Sequence, residues 1–366
     1  MFLRRTVGTA FLGLSFAGLV ASAPACSDDS LSPTGAGGST TSGSNGSGNG
    51  STTSDGNGPS GSTTSGEASS STDTSTSSTG TGGGTPAPLV RFVAIGDSGK
   101  GNQGQYDVAA AITAKCAADG CDFVQMLGDN IYDSGVSSTN DPQWQEKFEL
   151  PYANVDLPFW VVLGNHDYGG DGAGYEFDKG QHEIDYTSVS SKWMLPSAYW
   201  QRTVEHVLMV GLDTNMAMYN QANDQAADVP GWLAQSTATW KIVFGHHPYL
   251  SNGPHGNAGE YDGLPFVPIA NGAGVKSLLD DAVCGAADVY LCGHDHDMQW
   301  LQGTCGGTEL IVSGAAAATT TLEGNNPTRF ESEALGFLYV RIEGDTFTGQ
   351  FIDTTGAVLF ERTITK

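Results

Sequence analysis

The chain has 366 residues, with 15 Lys and Arg against 40 Asp and Glu, a formal net charge of −25. So acidic a chain is repelled by nucleic acid and by an anionic membrane face, and neither is expected as a partner. Its residue types are also unevenly spread, because every His, Trp and Tyr falls beyond residue 88.

Residues 1–25 read as an export signal. Arg4 and Arg5 open it, an apolar stretch runs from Val7 to Val20, and Ala23, Pro24 and Ala25 precede Cys26. The apolar run is short and rich in small residues for a membrane span. Cys26 heads a polar tail, an arrangement similar to that of bacterial lipoproteins, although Ala23 stands where Leu is preferred. A lipid anchor on Cys26 and simple secretion both stay open.

Residues 27–88 are Ser, Thr, Gly and Asn with scattered acids and no aromatic residue. Such a segment buries too little apolar surface to offset its chain entropy, so it reads as a disordered linker. Its typical span as a flexible coil is about 45 Å. Residues 89–366 then form one domain with 13 basic against 35 acidic residues, a net of −22. An anionic substrate approaching it needs a local positive charge, and a metal centre would provide one.

Within the domain the elements alternate. "VRFVAIGD" is an apolar run ending at Asp97, and the Ala-rich stretch Gln105–Ala118 has helical spacing. "DFVQMLGD" ends at Asp129, Trp144–Tyr152 is amphipathic, and "FWVVLGN" ends at Asn165. "LMVGLD" brings Asp213 one residue late, and "KIVFGH" ends at His246. A helix-like stretch, Val275–Val283, leads to "VYLCGH" at His294, and "LIVSGA" ends with no metal-binding side chain. Runs this short, bounded by Gly, read as buried strands, and strands alternating with helices argue an α/β sheet. The tail from Gly336 to Ile364 alternates apolar and polar residues, which predicts antiparallel strands extending a second sheet.

Five runs end in Gly followed by Asp, Asp, Asn, His and His. A single such ending is an ordinary turn. Five of them converge on one crevice if the strands are neighbours, since ligands gather at the carboxyl ends of adjacent strands. Five cysteines also lie in the domain, where export permits disulfides. Cys116 and Cys121 are close enough to close a small loop, Cys284 with Cys305 is one further pairing, and Cys292 reads as a buried free thiol.

The blocks "GDSG", "GDNIY", "GNHD", "GHHP" and "GHDH" occur in this order, and they resemble the five motifs of purple acid phosphatases within the calcineurin-like metallophosphoesterases. "KWMLPSAYW", "GLDT" and "YLCGHDHDMQWL" are similar to the small, mammalian-type branch. The resemblance implies a four-layer α/β–β–β–α sandwich with two metals at the strand ends. Carried over residue by residue, Asp97, Tyr132 and His296 bind one metal, Asn165, His246 and His294 bind the other, and Asp129 bridges them. It implies Fe(III) as the first ion and divalent Fe, Zn or Mn as the second.

Ligand chemistry agrees independently, since carboxylate and phenolate suit a trivalent ion, whereas imidazole and amide oxygen suit a borderline divalent one. Gly99 stands where many metallophosphoesterases carry a His, and Tyr132, three residues after Asp129, would replace that ligand. The implied reaction is hydrolysis of the monoesters of small phosphorylated molecules by in-line attack. His166 is expected to stabilise transition-state charge and protonate the leaving oxygen. His255, in "SNGPHG", matches a second active-site histidine. His247 is expected to shape the site without binding metal, and Asp167 and Asp295 to hold neighbouring imidazoles or loops. Trp193, Pro196 and Tyr199 read equally as a substrate-side wall or as packing. The alternatives are a phosphodiesterase or nucleotidase of the same fold and a non-catalytic surface protein. A monomer is expected.

Overall fold

The computed structural model describes residues 86–267 and 269–366; the export signal, Cys26 and the linker up to residue 85 lie outside the described residues. In chain order the first strands are β1 (Leu89–Ile95), β2 (Phe123–Leu127), β3 (Phe159–Val162), β4 (Trp193–Met194), β5 (Trp200–Val204), β6 (Val207–Gly211) and β7 (Trp240–Phe244). They are followed by β8 (Val289–Cys292), β9 (Met298–Cys305), β10 (Thr308–Ser313), β11 (Thr328–Ser332), β12 (Gly336–Glu343), β13 (Thr346–Asp353) and β14 (Val358–Thr365). The helices are α1 (Gln103–Asp119), α2 (Lys179–Tyr186), α3 (Thr214–Met218), α4 (Asn223–Gln235) and α5 (Ala273–Ala282).

The strands build two seven-stranded sheets, ordered β14-β13-β12-β1-β2-β3-β4 and β11-β9-β10-β8-β7-β6-β5. Each has a parallel centre: β1 to β4 in the first, and β6, β7, β8 and β10 in the second. Those central strands are covered on both faces, which is why they read as continuous apolar runs. The edge strand β14, half exposed, keeps the alternation of a one-sided strand.

Four layers result. Phe92 of β1 meets Phe244 of β7 edge-on, ring centroids 6.0 Å apart, between the sheets. On the other side of β1, Arg91 donates to the Asp119 carbonyl at the end of α1 at 3.0 Å. The outer face of the second sheet, with Leu208, Val243 and Tyr290, packs under Val229 and Leu233 of α4 and Val275 and Leu279 of α5. The α/β sandwich expected from the motifs is the one observed.

Three local expectations change. The antiparallel tail joins the first sheet, because β12 pairs with β1 over Leu89–Ala94. Trp144–Tyr152 gives only a five-residue π-helical turn, Gln145–Glu149, between Pro142 and Pro151. A proline six residues after the turn begins cannot continue the hydrogen-bonded ladder, so the segment has no room for a longer helix. The sequence reading also passed over α2 and α4; the first is short and mostly polar, and the second carries Pro230 inside it. Both suggested disulfides form, Cys116–Cys121 and Cys284–Cys305, and Cys292 is a buried free cysteine.

Candidate metal centre

The two parallel centres point their carboxyl ends at one crevice. Register explains why the side chains meet: Ile95 lies beside Met126 and Leu127 beside Val162, so Asp97, Asp129 and Asn165 follow at one level. In the second sheet Phe244 lies beside Leu291, which brings His246 and His294 level as well. Each chain must turn sharply there, and Asp97, Asp129 and His294 all take left-handed backbone (φ 59°, 52° and 74°). Such conformations are disfavoured for residues with a Cβ and cluster at functional sites. Neighbouring glycines make the approach possible, since a Cβ on Gly293 would sit 2.4 Å from Asp97 Oδ2.

Two donor clusters share Asp129. In the first, Tyr132 Oη lies 3.1 Å from Asp97 Oδ1, 2.9 Å from Asp129 Oδ2 and 2.9 Å from His296 Nε2. In the second, His246 Nε2 lies 2.9 Å from Asn165 Oδ1, 3.1 Å from His294 Nδ1 and 3.4 Å from Asp129 Oδ1. All seven residues proposed from the motifs are therefore within reach of one another, with one oxygen of Asp129 turned toward each cluster. Asp97, Asp129 and His246 by themselves offer atoms that all lie within 4.8 Å of one another.

The hydrogen bonding shows what the clusters are short of. The Leu127 carbonyl accepts from His246 Nδ1 at 2.9 Å, so Nε2 is the nitrogen turned to the cluster. Asn165 Nδ2 donates to the Gly172 carbonyl at 2.8 Å, which turns its oxygen inward. Around Tyr132 one hydroxyl proton faces two carboxylate oxygens and an imidazole nitrogen. Buried acceptors that converge without enough protons require a cation, and the donor set fits a metal pair.

Electrostatics agrees. Burial alone would lower His246, yet Asp129 and Asp97 outweigh it and hold its pKa at about 9. Burial and the two carboxylates push the Tyr132 phenol well above its ordinary value. Both shifts are the response of an anionic pocket in search of positive charge. Burial and the other imidazoles keep His294 well below the usual histidine range, and burial with Lys100 holds His296 at about 3. Both imidazoles are therefore neutral and free to ligate.

His166 and His255 stand beside the clusters. His166 Nδ1 donates to the Asp133 carbonyl at 2.6 Å, leaving Nε2 open 4.0 Å from Asp129 Oδ2, and its backbone N–H donates to Asp129 Oδ1 at 2.9 Å. His255 stacks on His294 with ring centroids 4.1 Å apart, and its Nδ1 lies 2.9 Å from Asp262 Oδ1. Burial would lower the His255 pKa, but Asp262 outweighs it and raises the value.

The surrounding polar residues sort themselves. Asp167 accepts from the backbone of Asn130, Ile131 and Gly164, at 2.8, 3.0 and 2.8 Å, so it fastens two ligand loops together and touches no imidazole. Asp295 accepts from the His255 backbone at 3.0 Å and holds that loop. His247 lies 2.9 Å from Thr214 Oγ1 and 4.5 Å from the His294 ring, ring to ring, as a wall of the site. Asp213 caps α3 and accepts from Tyr168, so the late "LMVGLD" aspartate is structural. Trp193 is fully buried and Tyr199 bonds Asp228 and stacks on Trp232, so both are packing.

The sequence reading did not single out Glu183, Lys100 or Asp262. Glu183 is buried against Asn130 at 3.4 Å, more than fifty residues away in the chain, and nothing local marks it. Asp262 sits in an Asp-Gly pair that reads as a turn.

A mixed, two-sheet sandwich whose strand ends converge on a metal-binding cluster of this composition is the architecture of metal-dependent phosphoesterases. The profile of the calcineurin-like phosphoesterases matches residues 90–298, and the chain belongs to that family as a phosphoester-hydrolysing enzyme. Among its curated relatives are acid phosphatases. Tartrate-resistant acid phosphatase type 5 of Homo sapiens is 30% identical over 76% of this chain and 91% of its own length. Purple acid phosphatase 4 of Arabidopsis thaliana is 29% identical over 74% and 82%. A purple acid phosphatase from yellow lupin seeds shares the fold, with a TM-score of 0.59 at 16% identity over 76% of this chain and 54% of that one. The fold also matches GAP50, the anchor in the inner membrane complex of Plasmodium (TM-score 0.60, 22% identity, covering 76% and 89%).

Proposed function

We propose that the chain hydrolyses phosphate monoesters with an Fe(III)–M(II) pair, M being Fe, Zn or Mn. The observation that carries this reading is Tyr132, whose oxygen lies among Asp97, Asp129 and His296. Phenolate and carboxylate are hard anionic donors suited to a trivalent ion. Asp97, Tyr132 and His296 would hold the iron, Asn165, His246 and His294 the divalent ion, and Asp129 both. Two aspartates and a tyrosinate would leave such a pair with about +2, enough to draw small phosphorylated substrates to an acidic surface. When bound, the metals supply charge neutralisation for the phosphate oxygens and an activated water at acid pH.

The chain's own groups do the rest. His166, its tautomer fixed by the Asp133 carbonyl, presents Nε2 to the substrate side and can carry the proton that the leaving oxygen takes. His255, paired with Asp262 and favoured as the imidazolium, adds positive charge above His294 for the phosphate. The same reading has the enzyme act as a monomer outside the cytoplasm, exported through residues 1–25 and then released or anchored at Cys26.

The purified enzyme, its metals quantified, is to be assayed on p-nitrophenyl phosphate and on the bis-ester at acid pH. We expect iron, a visible absorption band and a faster monoester rate. A faster bis-ester rate would assign the site to phosphodiesters instead.

A further inference from the structure

Lys100 is the one charged residue in the "GDSGK" turn after Asp97, and its ammonium lies 4.1 Å from the centroid of the Tyr132 ring. Lys115, Lys179, Lys192, Lys276 and Lys366 each pair with a carboxylate. Lys100, like Lys147 and Lys241, pairs with none among the described residues, in a domain where acids greatly outnumber bases. Its place is set by backbone: Tyr132 N–H donates to the Gly99 carbonyl at 2.9 Å, and Gly99 N–H to the Asp129 carbonyl at 3.2 Å. A Cβ on residue 99 would fall 1.9 Å from the Asn130 carbonyl oxygen, so only glycine lets the two turns close. The residue that removes a histidine ligand from the first motif therefore also carries Lys100 over the phenol that replaces it.

We propose that Lys100 is a positioning residue that sets the donor strength of Tyr132. A cation over an aromatic face is attracted to the ring electrons, and more strongly to those of a phenolate. Lys100 draws electron density back from the phenolic oxygen, which would make the phenolate a weaker donor to a bound ion. This inference rests on the iron–phenolate reading above.

The charge lies over the ring itself. It lowers the filled ring orbitals, and so would widen the gap that sets the visible band of an iron-loaded site. The test is the visible spectrum of the iron-loaded full chain beside its Lys100→Gln and Lys100→Arg variants at matched iron content. Lys100→Gln is expected to move the band to longer wavelength, and Lys100→Arg to return it. A band at the same wavelength in Lys100→Gln overturns the role of Lys100 while leaving the Tyr132 assignment standing. An iron-loaded wild type with no visible band overturns both.

Discussion

Asp129 turns one oxygen toward Tyr132 and the other toward His246, and it also accepts from the His166 backbone. An amide at this position keeps the shape but replaces one anionic oxygen by an NH2 group, which cannot bind a metal. We predict that Asp129→Asn retains at most one metal per chain by elemental analysis; two metals would refute its bridging role. At this scale the sequence was highly legible. Each of the seven donors sits in a short block at a strand end, so its chemistry and its place in the chain are read together. Asp262 and Glu183 were not legible, because what gives each its role is a partner brought by folding: the His255 imidazole and the Asp167–Asn130 pair.

The elements show where local pattern suffices. The strands carrying the donors were all found, since a buried parallel strand is an apolar run bounded by Gly. The segment around Trp144 was not, because its apolar residues fill an aromatic cluster with Tyr186 and Trp193 while the flanking prolines limit its length. The disulfides act on this scale too. Cys284–Cys305 ties the end of α5 to the end of β9 across a separation of 21 residues, whereas Cys116–Cys121 closes one of 5. The longer loop restricts the unfolded chain more. Replacing Cys284 and Cys305 by Ala should lower the unfolding free energy by about 3 kcal/mol, and the shorter pair by about 2 kcal/mol. Denaturant titration of the two double variants checks this, and a larger loss from the shorter pair would contradict it.

At the scale of the whole molecule, both hydrophobic cores of the described residues draw on Val90 and beyond. We predict that a chain of residues 86–366 keeps its metals and its kcat within about twofold of the longer protein. Loss of metal or of soluble expression would show that the first 85 residues support the fold. The sequence by itself named the donors that meet in the candidate metal centre, because donor chemistry and strand-end glycines are local properties that survive in one dimension. It also determined the alternation of strands and helices, because burial on both faces or one writes its own period. Only the tertiary structure decided which sheet each donor strand joins, that the tail pairs with β1, and that Asp129 divides its oxygens between two clusters. Those outcomes depend on register and on edges competing for partners across hundreds of residues, and no short stretch of sequence holds both sides of such a pairing. For the same reason Lys100, an ordinary lysine in the sequence, is recognised only once folding lays it on the Tyr132 ring.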